Sequence, residues 1–288
     1  MIKTIKTKQF KITALVLALV LTVSCVMWNT TKVHAQELEI NNTSVQTFAG
    51  SRAITNGKLV GAADASVDMG VFVTGGSADK YNASNMHWHH NGDHWDCTRP
   101  ALFEGANSSQ KIYACAPYVD GATDGVITVT ASEQTDWLVA TSRELTSNDV
   151  DLTMTHALAK LVITPGFGSE VENMSIAKVE VGGMYASGDL SIADNTWSNL
   201  GTANATFEVK NNELLVIPMD SCTSFPITFT MEDGRTFTTT VDIATVDNKL
   251  EAGVQYNIKL QVGQDVVTIG GITAESWVPS TGGVLETE

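Results

Sequence analysis

The residues best suited to chemistry form a histidine cluster in the first half of the 288-residue sequence. Four of the six histidines fall within eight residues, and the whole cluster comprises His87, His89, His90, His94, Asp93, Asp96 and Cys97. Imidazole, carboxylate and thiolate groups are ligands of zinc and copper. Alternate residues of a strand share one face, so His87 and His89 are expected to point the same way. An Asn91-Gly92 turn indicates a hairpin that could bring His94 opposite them.

The alternative to a metal site is a surface hairpin whose polar rings are solvated. Ligands on an exposed hairpin lack the second shell of hydrogen bonds that orients the ligands of true sites. We therefore predict no metal and no cofactor, and keep His87, His89 and His94 as the competing metal hypothesis. Trp88 and Trp95 flank the same turn, and their rings could make the hairpin a contact surface for a sugar or another ligand.

No catalytic motif accompanies this cluster. The sequence lacks Gly-x-Ser-x-Gly, His-Glu-x-x-His and a glycine-rich phosphate loop. Its acidic residues are scattered over segments that look like turns and solvent-facing positions. We predict that the protein is not an enzyme.

The elements that must position these residues have the pattern of strands throughout. Short segments rich in Thr and Val alternate apolar and polar residues, as in Tyr256 to Val262, and Asp233-Gly234 indicates a second hairpin. Sustained helical periodicity is missing. Regular short strands with polar turns predict an all-β protein built of antiparallel sandwiches. A polar stretch at 145–148 predicts a boundary between two domains, at 53–148 and 149–288.

The start of the chain predicts export. A basic segment precedes an apolar run from Ile12 to Val26. A membrane-spanning helix needs about 20 apolar residues, so this shorter run predicts a signal peptide over 1–35. Small residues before the junction predict cleavage between Ala35 and Gln36. The alternative is lipidation at Cys25, which follows a degraded lipobox and would anchor the chain in the outer membrane.

Charge excludes several classes of partner. Removing the signal peptide removes five of the 17 basic residues and none of the 32 acidic ones, so the net charge falls from −15 to about −20. A chain this acidic repels nucleic-acid phosphates and anionic lipid surfaces. We therefore predict no nucleic-acid partner, and contact with the outer membrane only through a lipid anchor.

Three cysteines remain after cleavage at Ala35: Cys97, Cys115 and Cys222. The odd number leaves at least one thiol free. Exported proteins can oxidise cysteine pairs, so a bond between Cys97 and Cys115 across neighbouring strands is conceivable. The alternative is that the cysteines act as small buried apolar residues.

Six short motifs follow one another along the chain. They are Ser51 to Ala53 with Asp68 to Val73, Ile112 to Tyr118, Ser132 to Ala140, His156 to Leu161, Ala252 to Tyr256 and Ile272 to Trp277. In this order the motifs resemble those of the fimbrillin (Mfa-like, type V pilin) family of Bacteroidetes. The segment His-Ala-Leu-Ala-Lys-Leu between two predicted strands carries most of the resemblance. Cys115 departs from it, because an aromatic residue is more usual there.

The resemblance implies two transthyretin-like β-sandwiches in tandem, in a fimbrial (pilus) subunit at the surface of a Gram-negative bacterium. Pilins of this family are matured by an arginine-specific protease that removes an N-terminal strand and opens a groove. A C-terminal segment of the next subunit then fills that groove. The groove exposes apolar residues and unpaired backbone groups, and an incoming strand satisfies both. Repetition of this contact from head to tail gives an open filament.

The sequence offers candidates for each part of this mechanism. The removable strand is expected within 36–52, with cleavage between Arg52 and Ala53. Its apolar residues are Leu38, Ile40, Val45 and Phe48. The donor strand is expected within 266–288, where the candidate residues are Val266, Val267, Ile269, Ile272 and Trp277.

Two interpretations of these segments remain open. In the first, the partners are other fimbrial subunits, and a host or bacterial surface ligand contributes to adhesion. In the second, the two segments are ordinary edge strands of a monomeric cell-surface adhesin or glycan-binding protein, because a fold alone does not determine a function.

Overall fold

A computed structural model describes residues 36–45, 54–55, 58–59, 68–90, 95–122, 124–168, 175–263 and 266–277, with the backbone alone at 41–45, 54–55 and 58–59. Contacts between residues divide the chain into two compact units, Met1–Gln36 and Glu37–Glu288. The fold described below is that of the second unit. The predicted signal peptide, Ala35 and Cys25 lie outside the described residues. No helix in the described part of the chain is long and apolar enough to cross a membrane.

The described chain is all-β, as the sequence predicted. Its only helical elements are short 3-10 turns, at Asp79–Tyr81, Ala131–Glu133 and Ala244–Val246. The strands are β1 (Gln36–Glu37), β2 (Glu39–Val45), β3 (Ile54–Thr55), β4 (Lys58–Leu59), β5 (Met69–Thr74), β6 (Ala83–His90), β7 (Trp95–Asp96), β8 (Leu102–Phe103), β9 (Lys111–Ala116), β10 (Val126–Thr130), β11 (Leu138–Glu144), β12 (Asp149–His156), β13 (Ala159–Phe167), β14 (Ile176–Met184), β15 (Ser187–Ser191), β16 (Thr196–Ser198), β17 (Ala205–Glu208), β18 (Glu213–Val216), β19 (Ser224–Met231), β20 (Thr236–Asp242), β21 (Val254–Val262) and β22 (Val267–Ser276).

Alternation of side chains explains why these segments form strands. In β12, Val150, Leu152 and Met154 are buried, whereas Asp151 and Thr153 between them are exposed. A period of two residues matches the pleat of a strand with one face on the core. The hairpin predicted at Asp233-Gly234 is confirmed by the antiparallel pairing of β19 with β20.

A seven-stranded sheet organises the first half of the chain, in the order β2-β12-β11-β9-β5-β6-β7. Its pairs are antiparallel, except that β2 runs parallel to β12. One face of the sheet buries a single apolar cluster, the N-terminal core, to which both end strands contribute through Ile40 of β2 and Trp95 of β7. The end strands also contact each other, so the sheet curls around this core.

The opposite face of this sheet is covered by a three-stranded sheet of β10, β15 and β16. Phe72 and Cys115 of the large sheet share a second apolar cluster with Val129 of β10 and Leu190 of β15. Trp277, from the last described segment of the chain, belongs to the same cluster.

The second half of the chain contains a sandwich of two four-stranded sheets. Their orders are β18-β13-β21-β22 and β17-β14-β19-β20. Leu161 of β13 and Ile258 of β21 pack in one core with Val181 of β14 and Phe229 of β19. Two apolar faces buried against each other are the basis of every β-sandwich.

The predicted boundary between residues 148 and 149 separates segments that pair with one another. Asp149–His156 forms β12 of the seven-stranded sheet, and β10 pairs with β15 across the same boundary. Strand pairing thus crosses the predicted boundary. The division of the chain into domains at 53–148 and 149–288 stays a prediction.

Candidate functional site

The candidate site is the position that β2 occupies at the end of the seven-stranded sheet. Glu39 pairs with Asp149, and the parallel register continues to Val45 opposite Met154, with one irregularity after Val150. In the sheet order β12 is the one neighbour of β2, since β7 lies at the far end of the same sheet. β2 is thus an edge strand held by a ladder on one side.

Apolar burial fixes the start of β2. Leu38 is 1% exposed and Ile40 is 3% exposed, and both belong to the N-terminal core. Two backbone hydrogen bonds hold the same end: Leu38 N donates to Ala101 O at 2.9 Å, and Glu39 N donates to Asn148 O at 2.8 Å. This segment therefore belongs to the folded sheet rather than to a loose N-terminal arm.

A cleft of about 400 Å³ lies between β2 and the other end of the sheet. It is lined by Leu38, Glu39, Ile40, Trp88, Trp95, Asp96, Cys97 and Pro100. Without β2, this cleft would widen into a slot floored by apolar residues of the N-terminal core and bordered by the open backbone of β12. We call this position the β2 slot. Such a slot has the chemistry that an extended peptide strand satisfies.

The predicted cleavage site lies outside the described residues. Arg52 and Ala53 fall between β2, which ends at Val45, and β3, which begins at Ile54 and pairs with β4. Gln36, the predicted first residue after the signal peptide, is exposed in β1.

The donor candidates are found within the chain's own C-terminal sandwich. Val267, Ile269 and Ile272 lie in β22, which pairs antiparallel with β21. Val267 is buried, Ile269 and Ile272 are half-buried, and Val266 just before the strand is 57% exposed. β22 is the edge strand of its sheet.

Contacts with Trp277 explain why the buried His156–Leu161 motif contains polar residues. Its ring, 3% exposed, stacks on His156 with 3.8 Å between ring centroids, and Lys160 Nζ lies 5.6 Å from its centre. His156 Nδ1 lies 2.8 Å from Asp136 Oδ1, and Lys160 Nζ forms an ion pair with Glu213 Oε1 at 2.5 Å. Burial of a histidine and a lysine is rare unless they are partnered in this way. The motif therefore anchors the segment that follows β22.

His87 and His89 share the exposed face of β6, as alternation predicted. Both rings point to Asp68, the residue just before β5: His87 Nε2 is 2.6 Å from Oδ2, and His89 Nδ1 is 2.5 Å from Oδ1. Tyr118 stacks on His87 at 4.1 Å. Partial burial acts to raise the pKa of Asp68, but hydrogen bonds and charge from the two histidines outweigh it, so the pKa is lowered.

These side chains do not make a metal centre in the described chain. No group of three or more His, Cys, Asp or Glu residues among the described positions has the arrangement of a metal site. The third predicted ligand, His94, and the Asn91-Gly92 turn lie outside those positions, although the pairing of β6 with β7 supports the hairpin itself. Asp68 could not be recognised from the sequence as the histidines' partner, because it lies 19 residues before His87 and 21 residues before His89.

Trp88 and Trp95, predicted as a contact surface, are directed inward. They are 3% and 6% exposed and belong to the N-terminal core beside β2, and His90 packs edge-on against Trp95. Alternation places Trp88 on the face opposite His87 and His89, but it does not indicate which of the two faces points inward. Rings in this position pack in the core beside β2 and are not exposed to bind a ligand from solvent.

Cys97, Cys115 and Cys222 are all free thiols. Cys97 packs against the N-terminal core, whereas Cys115 is in the cluster on the opposite face of the sheet, so the conceivable bond between them does not form. Burial raises the pKa of Cys115 to about 12, and it also raises the pKa of Cys97 and Cys222. These cysteines act as buried or half-buried packing residues.

Comparison with known proteins identifies relatives of this fold. A profile of the fimbrillin-like family matches residues 51–277. A structure from Bacteroides uniformis, provisionally described as a cell adhesion protein, gives a TM-score of 0.62 at 18% identity, over 84% of this chain and 99% of that one. A similarly described protein from Bacteroides ovatus gives 0.62 at 18% identity, over 85% and 98%.

A more distant likeness involves the tip fimbrial protein Mfa3 of Porphyromonas gingivalis, in a form with a C-terminal truncation. Its TM-score is 0.53 at 8% identity, over 84% of this chain and 100% of that one. At such identities the structural likeness concerns the fold alone. A search of curated proteins found no match.

Proposed function

The chain belongs to the fimbrillin-like family, and on that premise we propose that it is a structural or accessory fimbrial subunit that joins its neighbours by strand exchange. The family is one of fimbrial structural proteins, so the protein serves the fimbrium and cell adhesion and is not an enzyme. In this proposal β2 is the removable strand, and the β2 slot receives a strand of the next subunit.

The observation that carries the proposal is the combination of edge position and apolar burial in β2. Leu38, just before β2, and Ile40 within it are buried in the N-terminal core, yet the strand has a ladder on one side only. Burying one such side chain contributes roughly 1.5–3 kcal/mol. A chain that lost β2 would expose that core and the edge of β12, and both favour capture of another strand.

Cleavage at Arg52 suits this arrangement because of its place in the chain order. The cut would fall between β2 and β3, so β2 would remain in its slot by non-covalent contacts alone. A short strand held in that way can be displaced by a strand that is longer or more apolar. The family match begins at residue 51, so β2 precedes it.

The donor segment is proposed to be 266–288, with Val266, Val267, Ile269, Ile272 and Trp277 as its apolar residues. β22 is favourable for release because it is an edge strand with few buried side chains. Its ladder with β21 is interrupted between Lys259 and Leu260, and irregular pairing weakens a strand. Trp277 is the residue that resists release, since its ring must leave His156 and Lys160 before the whole segment can be donated.

The proposed location is the cell surface of a Gram-negative bacterium, in the fimbrium or at the outer membrane. Export would use the signal peptide at 1–35, followed either by cleavage between Ala35 and Gln36 or by lipidation at Cys25. The proposed partners are other fimbrial subunits and a surface ligand of the host or of another bacterium.

The test compares the wild-type chain with two arginine variants in the native cell. Arg52→Lys removes the proposed cleavage site while it keeps the charge, and Arg99→Lys is the matched control, since Arg99 is an exposed arginine elsewhere in the chain. The N-terminal residue of the surface protein is read by intact mass and N-terminal sequencing, and filaments are counted by electron microscopy.

We expect wild type and Arg99→Lys to begin at Ala53 and to enter filaments, and Arg52→Lys to keep β2 and stay out of them. Wild-type protein that begins at Gln36 or at an acylated Cys25 would contradict the proposal, because the β2 slot would remain filled. The chain would then be better interpreted as a monomeric adhesin or glycan-binding protein of the cell surface.

A further inference from the structure

A gap opens inside the seven-stranded sheet next to the β2 slot. β11 and β12 are neighbours, but the ladder between them consists of two residue pairs, at the end of β12 near His156. Beyond those pairs β11 continues beside β9, with an irregularity between Ala140 and Arg143, whereas β12 continues beside β2. The two strands therefore diverge along most of their length.

This divergence creates a cleft of about 470 Å³, which we call the seam. It is lined by Val139, Ala140, Thr141, Arg143, Asp149, Asp151, Thr153 and Thr155. Arg143 is the cation of this lining, and Asp149 and Asp151 are its anions. Opposite charges favour a guanidinium that stays within the seam.

Arg143 bridges the seam in the part where β11 and β12 have diverged. Arg143 Nη2, from β11, donates a 2.7 Å hydrogen bond to the backbone oxygen of Asp151 in β12. The same residue of β12 is in register with Asn42 of β2. β12 is therefore supported at one point from both directions, by Arg143 on the side of β11 and by the ladder on the side of β2.

We propose that Arg143 is a positioning residue of the strand-exchange site, which holds β12 in place while the β2 slot is empty. The inference rests on the proposed function, since it concerns the interval after β2 has left. In that interval the ladder from Asp149 to Met154 is lost, and the Arg143 bridge ties this stretch towards β11. An edge that stays ordered captures a strand more readily than one that must first be ordered.

The experiment uses the full mature chain, with the recognition sequence of a sequence-specific protease in place of residues 47–52. This cut does not depend on cleavage at Arg52. After cutting, the β2 fragment is removed, and binding of a labelled peptide copying residues 36–46 to the empty β2 slot gives the association rate. Amide hydrogen exchange over 149–154 reports the order of β12. The variants are Arg143→Ala, Arg143→Lys and, as the control, Arg235→Ala, an exposed arginine of the C-terminal sandwich.

We expect Arg143→Ala to slow this association about tenfold, because the charged hydrogen bond that keeps β12 ordered beside the empty slot is lost. Amide hydrogen exchange over 149–154 should also become faster in the cut protein. Arg143→Lys should bind the peptide at close to the wild-type rate, because lysine can donate to the same carbonyl oxygen. Arg235→Ala should behave as wild type. The melting temperature of the uncut chain should not change, because β2 still holds β12.

Three results would overturn the inference, and they are distinguishable. Equal association rates in wild type and Arg143→Ala would exclude the role of Arg143 and leave strand exchange intact. A lower melting temperature or loss of folding in uncut Arg143→Ala would indicate a general structural role. A cut wild-type protein that binds no peptide would refute the strand-exchange proposal and this inference with it.

Discussion

At the residue scale, Asp68 organises the part of the histidine cluster that the structure describes. Its two carboxylate oxygens each meet one imidazole, from His87 and His89. The exposed fractions of these side chains, 30%, 49% and 53%, indicate a surface network. A network at the surface contributes little to stability, but the lowered pKa of Asp68 gives its contribution a definite dependence on pH.

We predict that the stabilising effect of Asp68 depends on pH. Its pKa is lowered from 3.8, so its contribution is present above that value and is lost as the pH falls through the lowered pKa of the folded protein. Asp68→Asn should reduce the free energy of unfolding by at most about 1 kcal/mol at about pH 5, and by nothing measurable at about pH 2. Denaturant unfolding over a pH series checks this.

The control for this prediction is Asp79→Asn, which changes another exposed aspartate. A difference between wild type and Asp68→Asn that grows towards acid pH would have the wrong sign and would contradict the assignment of His87 and His89 as the partners of Asp68.

The histidine cluster also marks how far the sequence predicts single residues. Alternation predicted that His87 and His89 share a face, since this depends on spacing alone. It could not predict that Trp88 is buried or that Asp68 is the partner of the histidines, because those facts depend on which strand lies alongside. The contact of His156 and Lys160 with Trp277 could not be predicted, for the same reason.

At the scale of elements, β2 is held by its inward side chains. Ile40 is buried in the N-terminal core, whereas its neighbour Glu39 is exposed. We predict that Ile40→Ala weakens the docking of β2 by about 2–4 kcal/mol, because it leaves a cavity in the core. Glu39→Ala, on the outer face of the same strand, should change it by less than about 0.5 kcal/mol.

Amide hydrogen exchange of β2 and of Asp149–Met154 in β12 measures this difference, because both segments become exposed when β2 opens locally. Equal protection in the two variants would mean that backbone pairing, and not apolar burial, holds the strand.

Local signals predicted several elements well. The Asp233-Gly234 turn and the alternation of Tyr256–Val262 are contained in a few consecutive residues, and both the β19–β20 hairpin and β21 appear as expected. The parallel pairing of β2 with β12 could not be predicted, since it joins segments more than a hundred residues apart in the sequence. The candidate site depends on that pairing, so its existence was suggested only by the family resemblance.

At the scale of the whole molecule, charge opposes assembly. Each mature chain would carry about −20, so two subunits repel each other as they approach. We predict that strand exchange between cut subunits becomes faster as sodium chloride is raised from about 0.01 to 0.15 M, because the Debye length shortens from about 30 to 8 Å. Light scattering against time measures the rate, and a rate that falls with added salt would indicate attraction between oppositely charged surfaces instead.

The all-β class was predictable from composition and strand spacing, whereas the association of the two halves was not. A shared apolar cluster joins Phe72 of the first sheet to Trp277 near the end of the chain. β12 lies beyond the predicted boundary and yet completes the first sheet. Such long-range packing leaves no periodic signal in either segment.

β2 runs parallel to β12, and a strand that took its place in the same register would run in the same direction. If the register is kept, an incoming strand must enter with its amino end towards Asp149 and its carboxyl end towards Met154. Every junction in a filament built in this way would have the same sense, so the filament would have two chemically different ends. One end would present an unfilled slot and the other an unused C-terminal segment, and growth could be stopped at either end by a subunit that lacks the corresponding part.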